Sequence, residues 1–327
     1  YGDHRDLHSF PTRRSPILFF TSYLITFYLI KIIGKKMAPS ITIVTAFFDI
    51  GRGNWTPENG HTPYFHRTTD TYFEYFNNLA RLDNKMVIFT SKEFKDRIKE
   101  IRGEKPTEII VLDYKNKLNR LRNKVSKIQK STEFKTKLNK EQSISPEYFS
   151  PDYVIVCNLK SYFVAKSISM GLIETDFAAW IDFGYCRNVK ILNGLTRWNY
   201  SFNREKIHFF TINKKLEVDS LNSVFDKMFN NEVFIIGGAI VGTKDKWNEF
   251  FNLVWRCQKL TLQEKIIDDD QGIFIMCYYK NKELIQLNYL GKNNWFNLFR
   301  KYNQKSLLSK IEKFRGKLLS HFFSTNS

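Results

Sequence analysis

The chain has 327 residues, enough for one large domain or two small ones, and its 43% hydrophobic content is ordinary for a protein with a sizeable buried core. A net charge of +18 favours polyanionic partners: nucleic acid, anionic lipid or phosphorylated substrates. The four cysteines, Cys157, Cys186, Cys257 and Cys277, show no CxxC spacing; this argues against a zinc site and a disulfide scaffold and fits a reducing cytoplasm.

Residues 1–15 have no apolar periodicity, and Leu7 to Ser15 resembles a translated sequencing adapter, so the segment is expected to be an artefact. Residues 16–36 form an apolar segment, broken within Ile17 to Ile33 only by Thr21, Ser22, Thr26 and Lys31. Upstream translation before a start at Met37 competes with a membrane anchor and with the apolar core of a signal peptide. Lys31 shortens the anchor to about the lower limit for a span. No clear small-residue cleavage site precedes Gly34. Upstream translation is the favoured reading, and a single domain over residues 38–300 is expected to follow.

Ile41 to Phe48 reads as a strand that runs into a loop, Asp49 to Gly53, where Gly51-x-Gly53 lacks the third glycine of a dinucleotide fingerprint. Residues 54–66 read as an irregular loop. Thr69 to Leu82 has helical apolar spacing, Met86 to Thr90 is a strand, Phe94 to Ile101 is a charged helix ended by Gly103, and Glu108 to Leu112 is a third strand. This alternation is the signature of a parallel or mostly parallel sheet. Residues 115–141 interrupt it with ten Lys/Arg against two Asp/Glu. Leu118, Leu121, Val125 and Ile128 recur there at helical spacing, which predicts a basic helix and loop.

Tyr153 to Cys157 is a strand or the start of a helix that continues to Met170. Phe177 to Ile181 is a short apolar run bounded by polar residues, as in a strand buried on both faces. Lys206 to Ile212, Val233 to Val241 and Leu284 to Leu290 read as further strands. Lys244 to Cys257 reads as an amphipathic helix, and another starts at Asp268. Residues 301–327 are expected to form a basic amphipathic C-terminal helix, with Leu307, Leu308, Ile311, Phe314, Leu318, Leu319 and Phe322 near one face, as in helices that lie on a membrane surface.

Asp182 follows the Phe177–Ile181 strand directly. Ligands of open α/β sheets bind outside the carboxyl ends of the strands, so Asp182 is a ligand-site candidate; capping a turn is the bland alternative. Asp268, Asp269 and Asp270 repel one another unless solvated, capping or paired with a cation. They read either as a solvated helix start or as a base beside Gln271, whose amide would hydrogen-bond sugar or phosphate. Gly237-Gly238 is a structural bulge or a place where substrate passes close to bare backbone. Lys292, beside Gly291, is a candidate point charge for phosphate. The histidines are scattered without metal-ligand spacing, and His208 reads as a satisfied core residue. Serine-hydrolase elbow and P-loop motifs are missing, and Asp182-Phe-Gly184 stands without the other kinase motifs.

Four blocks, Thr42 to Trp55, Trp180 to Arg187, Ile235 to Gly242 and Asp269 to Phe274, resemble the HtrL/YibB family, also called WlaTC/HtrL glycosyltransferases, over roughly residues 40–300. The family is associated with bacterial lipopolysaccharide or surface-glycan loci. The resemblance implies an α/β fold of GT-A type, with a mixed, mostly parallel central sheet flanked by helices. It places Thr45, Phe47 and Arg52 at the nucleotide and Asp182 at a divalent metal, Mn or Mg. It places Gly237 and Gly238 along the acceptor cleft, and Asp269, Asp270 and Gln271 near the reacting carbon. Gly184 stands where such a fold would carry a second metal-binding aspartate, so Asp182 would either ligate the metal alone or hydrogen-bond a ribose instead.

The expected function is transfer of a sugar from a nucleotide sugar to a glycan or lipid-linked hydroxyl of a lipopolysaccharide-type acceptor. Asp270, or a neighbour, would act as base if the reaction inverts, and a divalent ion or the basic side chains of Arg52, Arg187 and Lys292 would stabilise the leaving diphosphate. The expected location is cytoplasmic, peripheral to the inner face of the membrane, with an anionic membrane surface as partner. The alternative is a non-catalytic basic protein that binds a polyanion, nucleic acid or anionic lipid; nucleic acid is the less favoured, because the basic stretch has few aromatic residues to stack on bases.

Overall fold

The computed structural model of the chain describes residues 40–304. The expectations for residues 1–36 and for the amphipathic stretch 307–323 lie outside the described residues. Seven strands form one sheet: β1 (Ile41–Phe47), β2 (Met86–Thr90), β3 (Thr107–Val111), β4 (Phe177–Ile181), β5 (Ile207–Thr211), β6 (Ile235–Gly242) and β7 (Ile285–Tyr289). Their order is β3-β2-β1-β4-β6-β5-β7. β6 runs against the others; its neighbours β4 and β5 both pair with it antiparallel, and the remaining pairs are parallel. This is the mixed, mostly parallel sheet that the sequence implied.

The longer helices are α1 (Thr69–Leu79), α2 (Lys95–Arg102), α3 (Asn119–Lys130), α4 (Pro151–Asn158), α5 (Lys160–Ser169), α6 (Leu221–Phe229), α7 (Lys244–Gln263) and α8 (Asp270–Lys280). Tyr153 to Cys157 is therefore helical, and Leu159 joins α4 to α5. Pro151 at the first position and the Ser150 hydroxyl, which accepts from the Tyr153 amide, start α4 where the chain must turn into a helix.

Strand alternation divides the core into two layers. Val44, Val87, Phe89, Ala178, Trp180 and Phe209 pack on one face with helices α3 to α8. Ile41, Ile43, Ile88, Ala179, Ile181 and Phe210 pack on the other with α1 and with the segment after Asp182. Every residue of β4 is buried, because both faces are covered. His208 is a satisfied core residue: Nε2 lies 2.9 Å from the Asn203 carbonyl and Nδ1 3.2 Å from the Asn288 amide.

Two consequences of this topology build the site. The carboxyl ends of β1 and β4 lie side by side in parallel register, so the loops after Phe47 and Ile181 leave the same edge. Because β6 is antiparallel, its early residues border that edge: Ala239 pairs with Ile181, and the Asp182 amide donates to the Gly238 carbonyl at 3.0 Å. Pairing of β5 with β6 shifts between Phe209 and Thr211, so Gly237-Gly238 sits in an irregular stretch.

Candidate active site

A cleft of about 490 Å³ opens at this edge. Of the residues singled out in the sequence, Phe47, Arg52, Asp182, Gly184, Arg187, Gly237, Gly238, Asp269, Asp270 and Gln271 line it. Two do not. Thr45 is fully buried within β1, and its hydroxyl has no hydrogen-bond partner. Lys292 is exposed in the loop after β7, away from the lining. A strand-interior position and a loop lysine each carry the right residue type, but neither side chain reaches the cleft.

The floor is an ion-paired cluster around Lys160, the first residue of α5, which pattern reading did not single out. Its ammonium lies 3.0 Å from Asp182 Oδ1 and 2.9 Å from Asp270 Oδ2, and it donates to the Gly237 carbonyl at 2.9 Å. Three elements thus converge on one cation. The Trp180 indole donates to the same Asp182 oxygen at 2.7 Å, fixing the carboxylate that leaves β4. Burial acts to lower the Lys160 pKa, but Asp182 and then Asp270 outweigh it and hold the ammonium well above the usual lysine range.

Asp268, Asp269 and Asp270 are buried, not solvated. Asp269 caps α8 by accepting from the Gln271 amide at 2.8 Å, and acidic groups suit a helix N-terminus. Burial raises the Asp270 carboxyl above its ordinary value, with Lys160 opposing and Asp182 adding to the rise. A Cβ on Gly237 would lie 1.8 Å from Asp270 Oδ2, so the carboxylate occupies space that only glycine leaves open. Among the described residues the Gln271 side-chain oxygen has no hydrogen-bond partner.

Glu147, 3% exposed on a short turn that enters the cleft wall, also escaped sequence reading. Burial pushes its carboxyl up to about 7 against the pull of its own backbone amide, and the charge of Asp270 adds to the rise. A raised carboxyl stabilises the fold while protonated. That contribution is complete below the ordinary value of 4.5 and is lost as pH rises through about 7. Melting temperature measured from pH 4 to 8 should therefore fall more steeply across this window for the wild type than for Glu147→Gln. Parallel curves would mean that Glu147 is not held protonated by its surroundings.

The cleft's upper wall is cationic. Arg52 donates to the Phe65 carbonyl at 3.0 Å and to the Tyr72 hydroxyl at 2.8 Å. Arg187 lies over the rings of Tyr75 and Phe296, and Arg67 over Tyr64. All three arginines line the cleft, and burial and then the like charges of Arg52 and Arg187 lower the Arg67 pKa. Among the described residues none of the three forms an ion pair with a carboxylate. Arg67, in the stretch between the glycine loop and α1, has no local pattern that marks it.

Of the groups that could hold a metal, Cys157, Asp269 and Asp270 bring one ligand atom each within 4.8 Å of one another. Their donors are spoken for: Asp269 caps a helix, Asp270 binds Lys160, and burial keeps the Cys157 thiol well above its usual range. Asp182 Oδ1 accepts from the Trp180 indole and lies 3.0 Å from the Lys160 ammonium. A divalent ion on Asp182 Oδ1 would sit beside the Lys160 ammonium, which makes that oxygen a poor fit for one.

The family described as "Bacterial protein of unknown function (HtrL_YibB)" matches residues 39–304. The chain belongs to the HtrL/YibB family. It is 51% identical over 279 residues to Protein HtrL of Escherichia coli (strain K12), covering 85% of this chain and 98% of that protein. Two solved structures are similar to this HtrL/YibB chain at a TM-score of 0.34. Mouse xyloside xylosyltransferase 1 in its apo form is 10% identical, covering 76% of this chain and 85% of that one. The glycosyltransferase GlyE of Streptococcus pneumoniae TIGR4 is 11% identical, covering 77% and 45%. Among the described residues, no helix is long and apolar enough to cross a membrane.

Proposed function

We propose that this protein is a glycosyltransferase that moves a sugar from a nucleotide sugar to a hydroxyl of a glycan or lipid-linked acceptor. The observation that carries the reading is the cleft itself: three arginines that among the described residues have no carboxylate partner line it together with Asp182 and the buried Asp270, at the carboxyl edge of an α/β sheet. A diphosphate supplies the negative charge those arginines lack, and guanidinium groups suit phosphate oxygens geometrically. Tyr64, 75% exposed at the cleft, offers an aromatic face for a base.

In the reaction, the bond from the anomeric carbon to the diphosphate oxygen breaks and the electron pair leaves with the diphosphate. Arg52, Arg67 and Arg187 stabilise that charge as it develops. The acceptor oxygen bonds to the same carbon and its proton passes to Asp270, whose burial raises its basicity. Asp182 accepts a hydrogen bond from a donor hydroxyl. The acceptor class follows the family's association with surface glycans, and with it goes a cytoplasmic place beside the inner membrane face.

The test is a thermal-shift screen of nucleotide sugars. A ligand at 100 times its Kd should stabilise the fold by about 2.7 kcal/mol. A stabilising hit is expected. No hit, together with salt-sensitive binding to nucleic acid or anionic vesicles, would favour the non-catalytic polyanion-binding reading.

A further inference from the structure

We infer that Lys160 is a built-in cation of the donor site. Its ammonium stands in for the divalent ion that a carboxylate at Asp182 would otherwise hold, so the cleft binds a nucleoside diphosphate without metal. The inference rests on the reading of the cleft as a nucleotide-sugar site. Three observations carry it. The ammonium lies 3.0 and 2.9 Å from carboxylates contributed by separate elements, the end of β4 and the start of α8. It donates to the Gly237 carbonyl and to Asp270 Oδ2, so contacts from three elements hold the group in place. Lys160 is 6% exposed, in a protein whose lysines are mostly at the surface.

The electrostatics agree. A lone buried ammonium is costly, and two carboxylates repay that cost only when no other cation takes them. A divalent ion on Asp182 would have to displace the ammonium from its three partners or sit within a few ångströms of it, where like charges repel strongly. The charge for the diphosphate comes instead from Arg52, Arg67 and Arg187, which line the same cleft and pair with no acid among the described residues. Lys160 touches no phosphate in this arrangement; it neutralises and positions Asp182 and Asp270.

The experiment has two arms on the full chain. In the first, ADP, CDP, GDP and UDP are titrated calorimetrically in EDTA and in Mn2+. The best binder should keep its Kd within about threefold between the two buffers. A Kd weakened about tenfold or more by EDTA would overturn the inference. In the second, Mn2+ is titrated alone and followed by electron paramagnetic resonance. The wild type should show no site that Asp182→Asn removes. Lys160→Ala, which vacates the space between the carboxylates, should gain one, and adding Asp182→Asn should abolish it. A wild-type Mn2+ site lost in Asp182→Asn would overturn the inference even if Lys160→Ala fails to fold. If no diphosphate binds in either buffer, the proposed function fails, and the Mn2+ arm still decides what cation Asp182 holds.

Discussion

Gly237→Ala is expected to reduce sugar transfer by about 10³-fold, the scale of losing a positioned acid or base, and to lower the melting temperature. The new methyl group would lie 1.8 Å from Asp270 Oδ2 and 2.7 Å from its Cγ, so the carboxylate must move. Asp270 is 2% exposed and held between Lys160 and the start of α8, so it moves only by breaking the pair with Lys160. Breaking a buried pair costs roughly 3–5 kcal/mol, and overpacking adds about 1–3 kcal/mol. Gly238→Ala is the control. Its Cβ would meet the Tyr185 ring at 3.0 Å and Asp182 Oδ2 at 3.6 Å, contacts that a small ring shift relieves. Turnover and melting measured for both variants should show the first far more damaged. Equal effects would remove Asp270 from the account.

Asp182→Ala should lower donor turnover by about 100-fold while the fold survives. The Asp182 side chain is 39% exposed, so its removal seals no cavity, and Lys160 keeps Asp270 and the Gly237 carbonyl. What is lost is a charged acceptor at the cleft, aimed by Trp180 Nε1. A hydrogen bond to a charged group is worth up to about 3 kcal/mol, which corresponds to a fall of about 100-fold. The loss should appear in turnover of the donor, with the melting temperature lowered by only a few degrees.

Much of this fold is legible in local pattern. The Phe177–Ile181 run is buried on both faces because helices cover both sides, and Asp182 lies at the carboxyl edge where the pattern put it. Helices α1, α2 and α7 follow apolar spacing, and Gly103 ends α2 with a backbone that glycine tolerates, φ 55°. What local pattern does not carry is strand direction. β6 reads like its neighbours, yet only its antiparallel course brings Gly237-Gly238 to the edge occupied by Asp182.

The cluster residues missed in the sequence share one physical reason: their partners are distant in the chain. Lys160 and Asp270 are 110 positions apart. A weak signal for Lys160 exists, since Phe163 and Val164, three and four residues on, are fully buried and put a charge on an apolar helix face. Glu147 precedes a proline-started helix and looks like an ordinary turn residue. Its raised pKa comes from burial and from Asp270, which the sequence does not place beside it. The Asp268–Asp270 run leaves a solvated helix start open as one of its two readings, because adjacent carboxylates repel. The fold buries it by capping α8 with Asp269 and binding Asp270 to a lysine from another helix.

As proposed, this cleft breaks the bond between a sugar and its diphosphate, with Asp182 at the donor. The most direct measurement is release of nucleoside diphosphate from the nucleotide sugar that most stabilises the protein, by the wild type and Asp182→Ala side by side. The account predicts release by the wild type and a rate lower by about 100-fold in the folded variant. Equal rates, or no release from a nucleotide sugar that binds even with acceptor glycans supplied, would contradict it.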